Sequence, residues 1–193
     1  AYVFSSELIK ASEEILQDSN FNFEAVLYDL FTERIFRSVE SYLTSGTGSS
    51  QPQGVIYGST SGKTTASATA ITRGELIDLM HSVDPAYRIG PKVGWMFHDK
   101  FLAAIKKLSV GSSDDRPLWV PSMVEGEPDT LEGKPYWINQ FMDSSYSSGN
   151  EIIAFGNFDK YVIRMVNDIR LGRLVERYAE TREVGLFATI RLD

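Results

Sequence analysis

FEAVLYDLFTERIFRSVESYLTSGTGSSQPQGVI, Phe23 to Ile56, is the stretch on which the fold turns. Phe23, Val26, Leu27, Leu30, Phe31, Ile35, Val39 and Leu43 recur at three- and four-residue spacing, which puts them on one packing face of a helix from about Asn22 to Leu43. At 1.5 Å per residue such a helix is about 33 Å long, a beam rather than an ordinary globular helix. Asp18, Ser19, Asn20 and Asn22 offer capping oxygens ahead of it, and Gly46 and Gly48 stop it. From there to Thr72 the chain is rich in Ser, Thr and Gly, with Pro52 and a short strand candidate at Val55 to Tyr57. A segment of that composition is a functional loop or a connector.

Inside it lies YGSTSGKTTASAT, Tyr57 to Thr69, which approaches a phosphate-binding loop. The motif needs Gly, four residues, then Gly-Lys-Ser/Thr, so that consecutive backbone amides wrap a phosphate ahead of a helix. Only three residues separate Gly58 from Gly62, and Tyr57 stands where the first glycine belongs. Lys63 is therefore read as a loop residue, and no cofactor is expected.

Downstream, Thr72-Arg73-Gly74-Glu75 is a capping box opening a helix that carries Leu76, Ile77, Leu79, Met80 and Val83 inward and ends at Pro85. Lys92 to Phe97 reads as a buried strand, and Asp99 as the cap of a helix with Phe101, Leu102, Ile105 and Leu108 on one face. Ser109 to Pro117 reads as a polar loop. Strands are expected at 135–142, 151–155, 161–166, 174–180 and 182–192. Helices and strands mix without a βαβ rhythm, so the class is α+β.

A chain of 193 residues, 42% hydrophobic and 23% charged, can bury one core or a core with an added lobe. No apolar run nears the roughly 20 residues of a membrane span, so no membrane association is expected. Without Cys there is no disulfide framework and no thiolate chemistry. The net charge of −7 argues against general attraction to nucleic acid. Residues 160–193 nevertheless carry seven of the 19 basic and five of the 26 acidic residues, a local excess of +2 against −9 elsewhere. One end of the subunit could thus attract the opposite end of another. The chain starts at Ala1 without Met and stops at Asp193 within a strand pattern, so a fragment is expected.

Catalytic and metal-binding signals are weak. His81 and His98 have no ligand partner at close spacing, no Gly-x-Ser-x-Gly elbow occurs, and Asp114, Asp115, Glu125, Glu127, Asp129 and Glu132 lie in turn-rich segments. Trp95, Trp119 and Trp137 could make a carbohydrate platform, though such residues more often fill a core. No catalytic, cofactor-binding or metal residue is assigned, and the chain is read as a protein that packs rather than reacts.

Five segments in order then carry a resemblance: Gly46 to Ile56, Gly94 to Leu108, Gly126 to Met142, Ile152 to Ile163 and Arg182 to Asp193. Together they resemble the major capsid protein of tailed bacteriophages, the Hong Kong 97 type. The resemblance implies a peripheral (P) domain from residues 1–45 with the spine helix and residues 159–193 as returning strands, and an axial (A) domain over 46–158. It further implies a non-enzymatic head protein that assembles with itself into pentamers and hexamers of an icosahedral shell around double-stranded DNA. Assembly would take place in the bacterial host cytoplasm, with a scaffold, a maturation protease and a portal as further partners. In the family an N-terminal arm and a long hairpin, the E-loop, precede the spine helix. Only about 20 residues do so here, so this fragment alone is expected to be a monomer or weak oligomer. Arg173 and Arg177 are the candidate inter-subunit residues. An encapsulin-like shell is the nearest alternative, and a nucleotide- or carbohydrate-binding domain a distant one.

Overall fold

The computed structural model describes residues 1–18, 22–111, 114–117, 119–120 and 129–193, with side chains at 1–17, 22–108 and 129–193. Asp18, Ser19 and Asn20 as caps, Asp114, Asp115, Glu125 and Glu127 as candidate ligands, and Trp119 as a platform residue fall outside the described side chains. In chain order the elements are β1 (Tyr2–Ser5), β2 (Ile9–Ser12), α1 (Glu13–Asp18), α2 (Phe23–Ser45), α3 (Arg73–Ser82), β3 (Val93–Phe97), α4 (Asp99–Lys106), β4 (Ser109–Gly111) and β5 (Asp114–Pro117). There follow β6 (Trp119–Val120), β7 (Thr130–Leu131), β8 (Lys134–Ile138), β9 (Ile153–Asn157), β10 (Met165–Leu174) and β11 (Glu183–Leu192). No helix among the described residues is long and apolar enough to cross a membrane.

Two compact units divide the chain, one of residues 1–57 with 163–193, the other of 58–162. In the first, β11 is the central strand: β10 pairs along one edge and β1 and β2 along the other, all antiparallel. Val184, Leu186, Ala188, Ile190 and Leu192 alternate along β11 and are buried, the period of two that gives a strand one inward face. They pack against Leu27, Phe31, Ile35 and Val39 of α2, with Phe23 and Leu43 partly buried at the ends of the stripe. Asn22 caps the helix by accepting from the Ala25 amide at 3.1 Å.

Val26 and Leu30, expected on the same face, are 45% and 47% exposed. Four residues turn an α-helix by about 400°, so the stripe 27, 31, 35, 39 winds slowly around the axis. Val26 and Leu30 each sit one residue, about 100°, behind it and look away from the sheet.

The Gly-rich stretch after α2 is ordered by the helix it leaves. The Gly46 amide donates to Tyr42 O at 2.8 Å, Val55 to Leu43 O at 2.8 Å and Ile56 to Thr44 O at 3.0 Å. The carbonyls that a helix end strands are thus met by the returning loop. Thr47 and Gln53 form a bridge, Gly54 donates to Gly46 O at 2.7 Å, and Pro52 is buried. Val55 to Tyr57 forms a turn, not the strand its composition suggests, because its amides are spent on helix carbonyls.

In the second unit the sheet order is β6-β7-β8-β3-β9, with β3 parallel to β8 and antiparallel to β9. As the inner strand, β3 is buried along nearly its whole length, which explains its unbroken apolar run. Trp95, Phe97, Leu76, Phe101, Ile105 and Leu131 form the core. The Trp95 indole donates to Leu131 O at 3.0 Å, so the largest core side chain buries no unmet donor.

Several boundaries differ from those the sequence suggests. Residues 109–111 and 114–117 pair as short strands where a loop is expected. The strand expected at 161–166 begins at Met165 and runs to Leu174, and 176–181 is a tight 3-10 turn instead of a strand. Arg182 closes that turn in the left-handed region at φ 53°, which reverses the chain into β11.

Candidate functional site

Lys63 is the one side chain whose sequence context asks for a ligand. Its ammonium lies 2.6 Å from Asp78 of α3, an exposed ion pair, and the hydrogen bond and charge of Asp78 raise its pKa. No helix begins after it: Arg73, ten residues on, opens α3. The amides of residues 58–64 therefore lack the strand-loop-helix frame that aims a phosphate-binding ring. A titration with ATP and Mg²⁺ should give no saturable heat; a stoichiometric isotherm lost in Lys63→Ala would reverse this assignment.

That loop is held instead by Glu75. Its carboxylate, 9% exposed, accepts from the Ala66 amide at 2.6 Å, the Thr72 amide at 2.8 Å and the Thr72 hydroxyl at 2.9 Å. Burial opposes the charge, but these bonds outweigh it and hold the carboxyl below its ordinary 4.5. A lowered folded-state value means that the stabilisation is fully present above the ordinary carboxylate range and is lost as pH falls through the folded value. Glu75→Gln is expected to cost about 1–3 kcal/mol at pH 7, since one oxygen becomes an amide facing donors. The deficit should shrink in thermal melts as pH drops below that range; a deficit constant down to about pH 3 would refute it.

Both histidines have local partners. His98 caps α4, accepting at Nδ1 from the Lys100 amide at 3.1 Å, in the role expected of Asp99. Arg88 donates to His81 Nδ1 at 3.1 Å. Glu132 pairs with Arg73 at 2.9 Å, and Asp129 accepts from the Tyr136 hydroxyl at 3.3 Å. Among the described residues no three His, Asp or Glu side chains gather as a metal site. Trp95 is a core residue and Trp137 is 39% exposed with its ring edge-on to Phe158, so these two offer no flat shared platform for a sugar.

Arg173 and Arg177, the expected inter-subunit pair, are differently engaged. Arg173 pairs in register with Leu186 and so points to the helix side of the sheet, where it meets Glu24 at 3.0 Å. Its charge is met within the chain by Glu24 in an exposed ion pair. Arg177 lies 5.8 Å from the ring of its neighbour Tyr178. Large apolar side chains left exposed on this unit include Val26, Leu30 and Phe36 on α2, and Ile163, Met165 and Val166 where β10 begins. The helix pattern alone missed the latter group, although the run YVIRMV could have marked it. No enclosed chemistry emerges among the described residues; the candidate functional surface is one for packing.

The comparisons agree with that character. A model of the phage capsid family matches residues 5–193. A capsid of an empty GTA particle, computed with C5 symmetry, is similar at 25% identity with a TM-score of 0.76, covering 99% of this chain and 68% of that one. The capsid of the native GTA particle gives 25% identity and a TM-score of 0.77 over 99% of this chain and 67% of the other. A holo-SrpI encapsulin complex from Synechococcus elongatus shares the fold at 13% identity and a TM-score of 0.67, over 99% of this chain and 69% of the other. No curated protein sequence matches.

Proposed function

The chain belongs to the phage capsid family, a structural shell protein and virion component that associates with its own kind, and from that premise we propose that it is the major head protein of a tailed phage or prophage. It assembles into pentamers and hexamers of an icosahedral shell and encloses double-stranded DNA without reading its sequence. Assembly takes place in the host cytoplasm with scaffold, maturation protease and portal, and the subunit performs no catalysis itself. The observation that carries this reading is the likeness to GTA capsids over 99% of the chain at 25% identity. We assign the peripheral role to the unit of residues 1–57 and 163–193, with α2 as its spine, and the axial role to residues 58–162; these bounds replace the expected 1–45 with 159–193 and 46–158, because residues 46–57 bond back to the end of α2.

Physically, such a shell closes by heterologous contacts in which one face of a subunit packs on a different face of the next. Negative-stain electron microscopy of the complete gene product, expressed in bacteria with its scaffold, should show closed polyhedra or capsomer rings. Dispersed monomers under those conditions would refute the reading. The 193-residue chain by itself should scatter light as a monomer or weak oligomer; a stable hexamer mass would contradict that. The encapsulin likeness supports a second reading, a nanocompartment with protein cargo. Nucleic-acid content of purified particles separates the two, since a genome absorbs ultraviolet light far more strongly than an enzyme cargo.

A further inference from the structure

The two large sheets differ in how an outer strand is finished. β10, an edge of the first, carries Asp168, Arg170 and Arg173 and breaks register twice, between Met165 and Asn167 and between Asn167 and Arg170. Charges and bulges of this kind keep a strand edge from pairing with another chain. β9, an edge of the second, has neither: Ile153-Ala154-Phe155-Gly156-Asn157 holds no charge and no proline and stays in register with β3 throughout.

Which backbone groups of β9 stay open follows from its neighbour. The Asn139 amide donates to Phe97 O at 3.0 Å, so Phe97, and with it Trp95 and Val93, turn their amides and carbonyls toward β8. Gly94 and Met96 therefore turn theirs toward β9, where Gly156 and Ala154 stand opposite. The Phe158 amide, donating to Lys92 O at 3.1 Å, continues the same alternation. Ile153, Phe155 and Asn157 then direct their backbone N–H and C=O groups away from β3, and nothing among the described residues bonds to these groups. Three donors and three acceptors along one line are a template for a further strand.

The same unit holds strands that lack a sheet. Among the described residues β4 and β5 pair only with each other. A two-stranded hairpin is marginal in water without a third strand or a covering helix. Within the subunit this ribbon does not pair with β9. It runs instead from Pro117 into β6 at Trp119, on the opposite edge of the β6-β7-β8-β3-β9 sheet, four strand spacings or about 19 Å from β9.

We propose that in the shell the β4-β5 ribbon of one copy adds to the free edge of β9 in the next, joining the two sheets through backbone hydrogen bonds. Unlike edges meet in this contact, so each copy offers one and receives one, as a ring closed by heterologous association requires. The inference rests on the shell reading above and adds to it which strands make one of the contacts.

The test compares the complete gene product with two variants at Ile153. Ile153→Pro and Ile153→Ala lose much the same packing, but only proline removes an N–H that points away from β3, at the first residue of an edge strand, where a sheet tolerates it. At equal subunit concentration, particle yield should be about tenfold lower for Ile153→Pro than for Ile153→Ala, the scale of one lost hydrogen bond and a blocked edge. The two unassembled subunits should melt within about 2 °C of each other. Equal particle yields would overturn the proposal. If Ile153→Pro melts lower, amide exchange on the unmodified protein decides. In unassembled subunits Ala154 and Gly156 should be protected and Phe155 and Asn157 less so; in particles the latter two, together with amides of β4 or β5, should slow by about tenfold or more. Unchanged exchange at Phe155 and Asn157 on assembly, or slowing there with none in 109–117, would overturn the proposal. If the unmodified protein forms no particles, the shell reading falls and takes this inference with it.

Discussion

Replacing Gly54 by Ala should unravel the junction at the end of α2. A methyl there would lie 2.5 Å from Thr44 O and 2.6 Å from both Gly46 N and Thr44 C, and all three are backbone atoms that cannot swing aside. Gly46 faces the same constraint from Pro52 O and Tyr42 O. The two glycines let a returning stretch of chain lie against the last helical turn, close enough for Val55 and Ile56 to reach the Leu43 and Thr44 carbonyls. Overpacking of a well-packed site typically costs about 1–3 kcal/mol, and a clash against backbone on several sides should reach or pass about 3 kcal/mol. The measurement separates the units: Trp95, Trp119 and Trp137 all lie within residues 58–162, so tryptophan fluorescence reports on that unit alone. In urea, the far-UV circular dichroism transition dominated by α2 should move to lower concentration while the fluorescence transition stays. Unchanged behaviour of both would show that the loop does not hold the helix end as described.

The converse result is expected for Trp95→Ala. Trp95 is 0% exposed, its ring centroid is 4.6 Å from that of Phe155, and its indole satisfies Leu131 O. Truncation empties a cavity the size of an indole and leaves a buried carbonyl without its donor. The first effect is about 3–5 kcal/mol and the second about 1 kcal/mol or more, together enough to unfold a marginal unit. Amide exchange of β3, β8 and β9 should rise by several orders of magnitude, while β10 and β11 stay protected. Protection lost equally in both units would mean that they do not fold independently.

Some of this architecture is legible in the sequence and some is not, for reasons that lie in what each signal measures. The α2 stripe and the alternation along β11 are read directly, because burial of one face imposes a period on the sequence. The capping box at Thr72 is equally local: both of its bonds lie within four residues. By contrast, the roles of Val26, Leu30 and Arg173 depend on which side the sheet lies, a matter of tertiary placement. Residues 174–180 are β-prone in composition, yet Arg182 in a left-handed turn fixes the reversal before that run can extend. Neither β1 nor β2 announces itself, since each is four residues long and exists by pairing with a strand more than 170 residues away.

The central place of β11 also sets an order in time. Residues 58–162 are contiguous and can fold while the ribosome is still adding the rest, as domains do during synthesis. The other unit cannot: β1, β2 and the inner face of α2 have nothing to close on until residues 183–192 have left the exit tunnel. While the intervening chain is being made, α2 therefore waits with Leu27, Phe31, Ile35 and Val39 uncovered, the state in which nascent chains recruit chaperones or aggregate. The same delay is protective on a crowded polysome. A subunit whose first unit is completed only by β11 cannot begin to polymerise with its neighbours before that strand has been made.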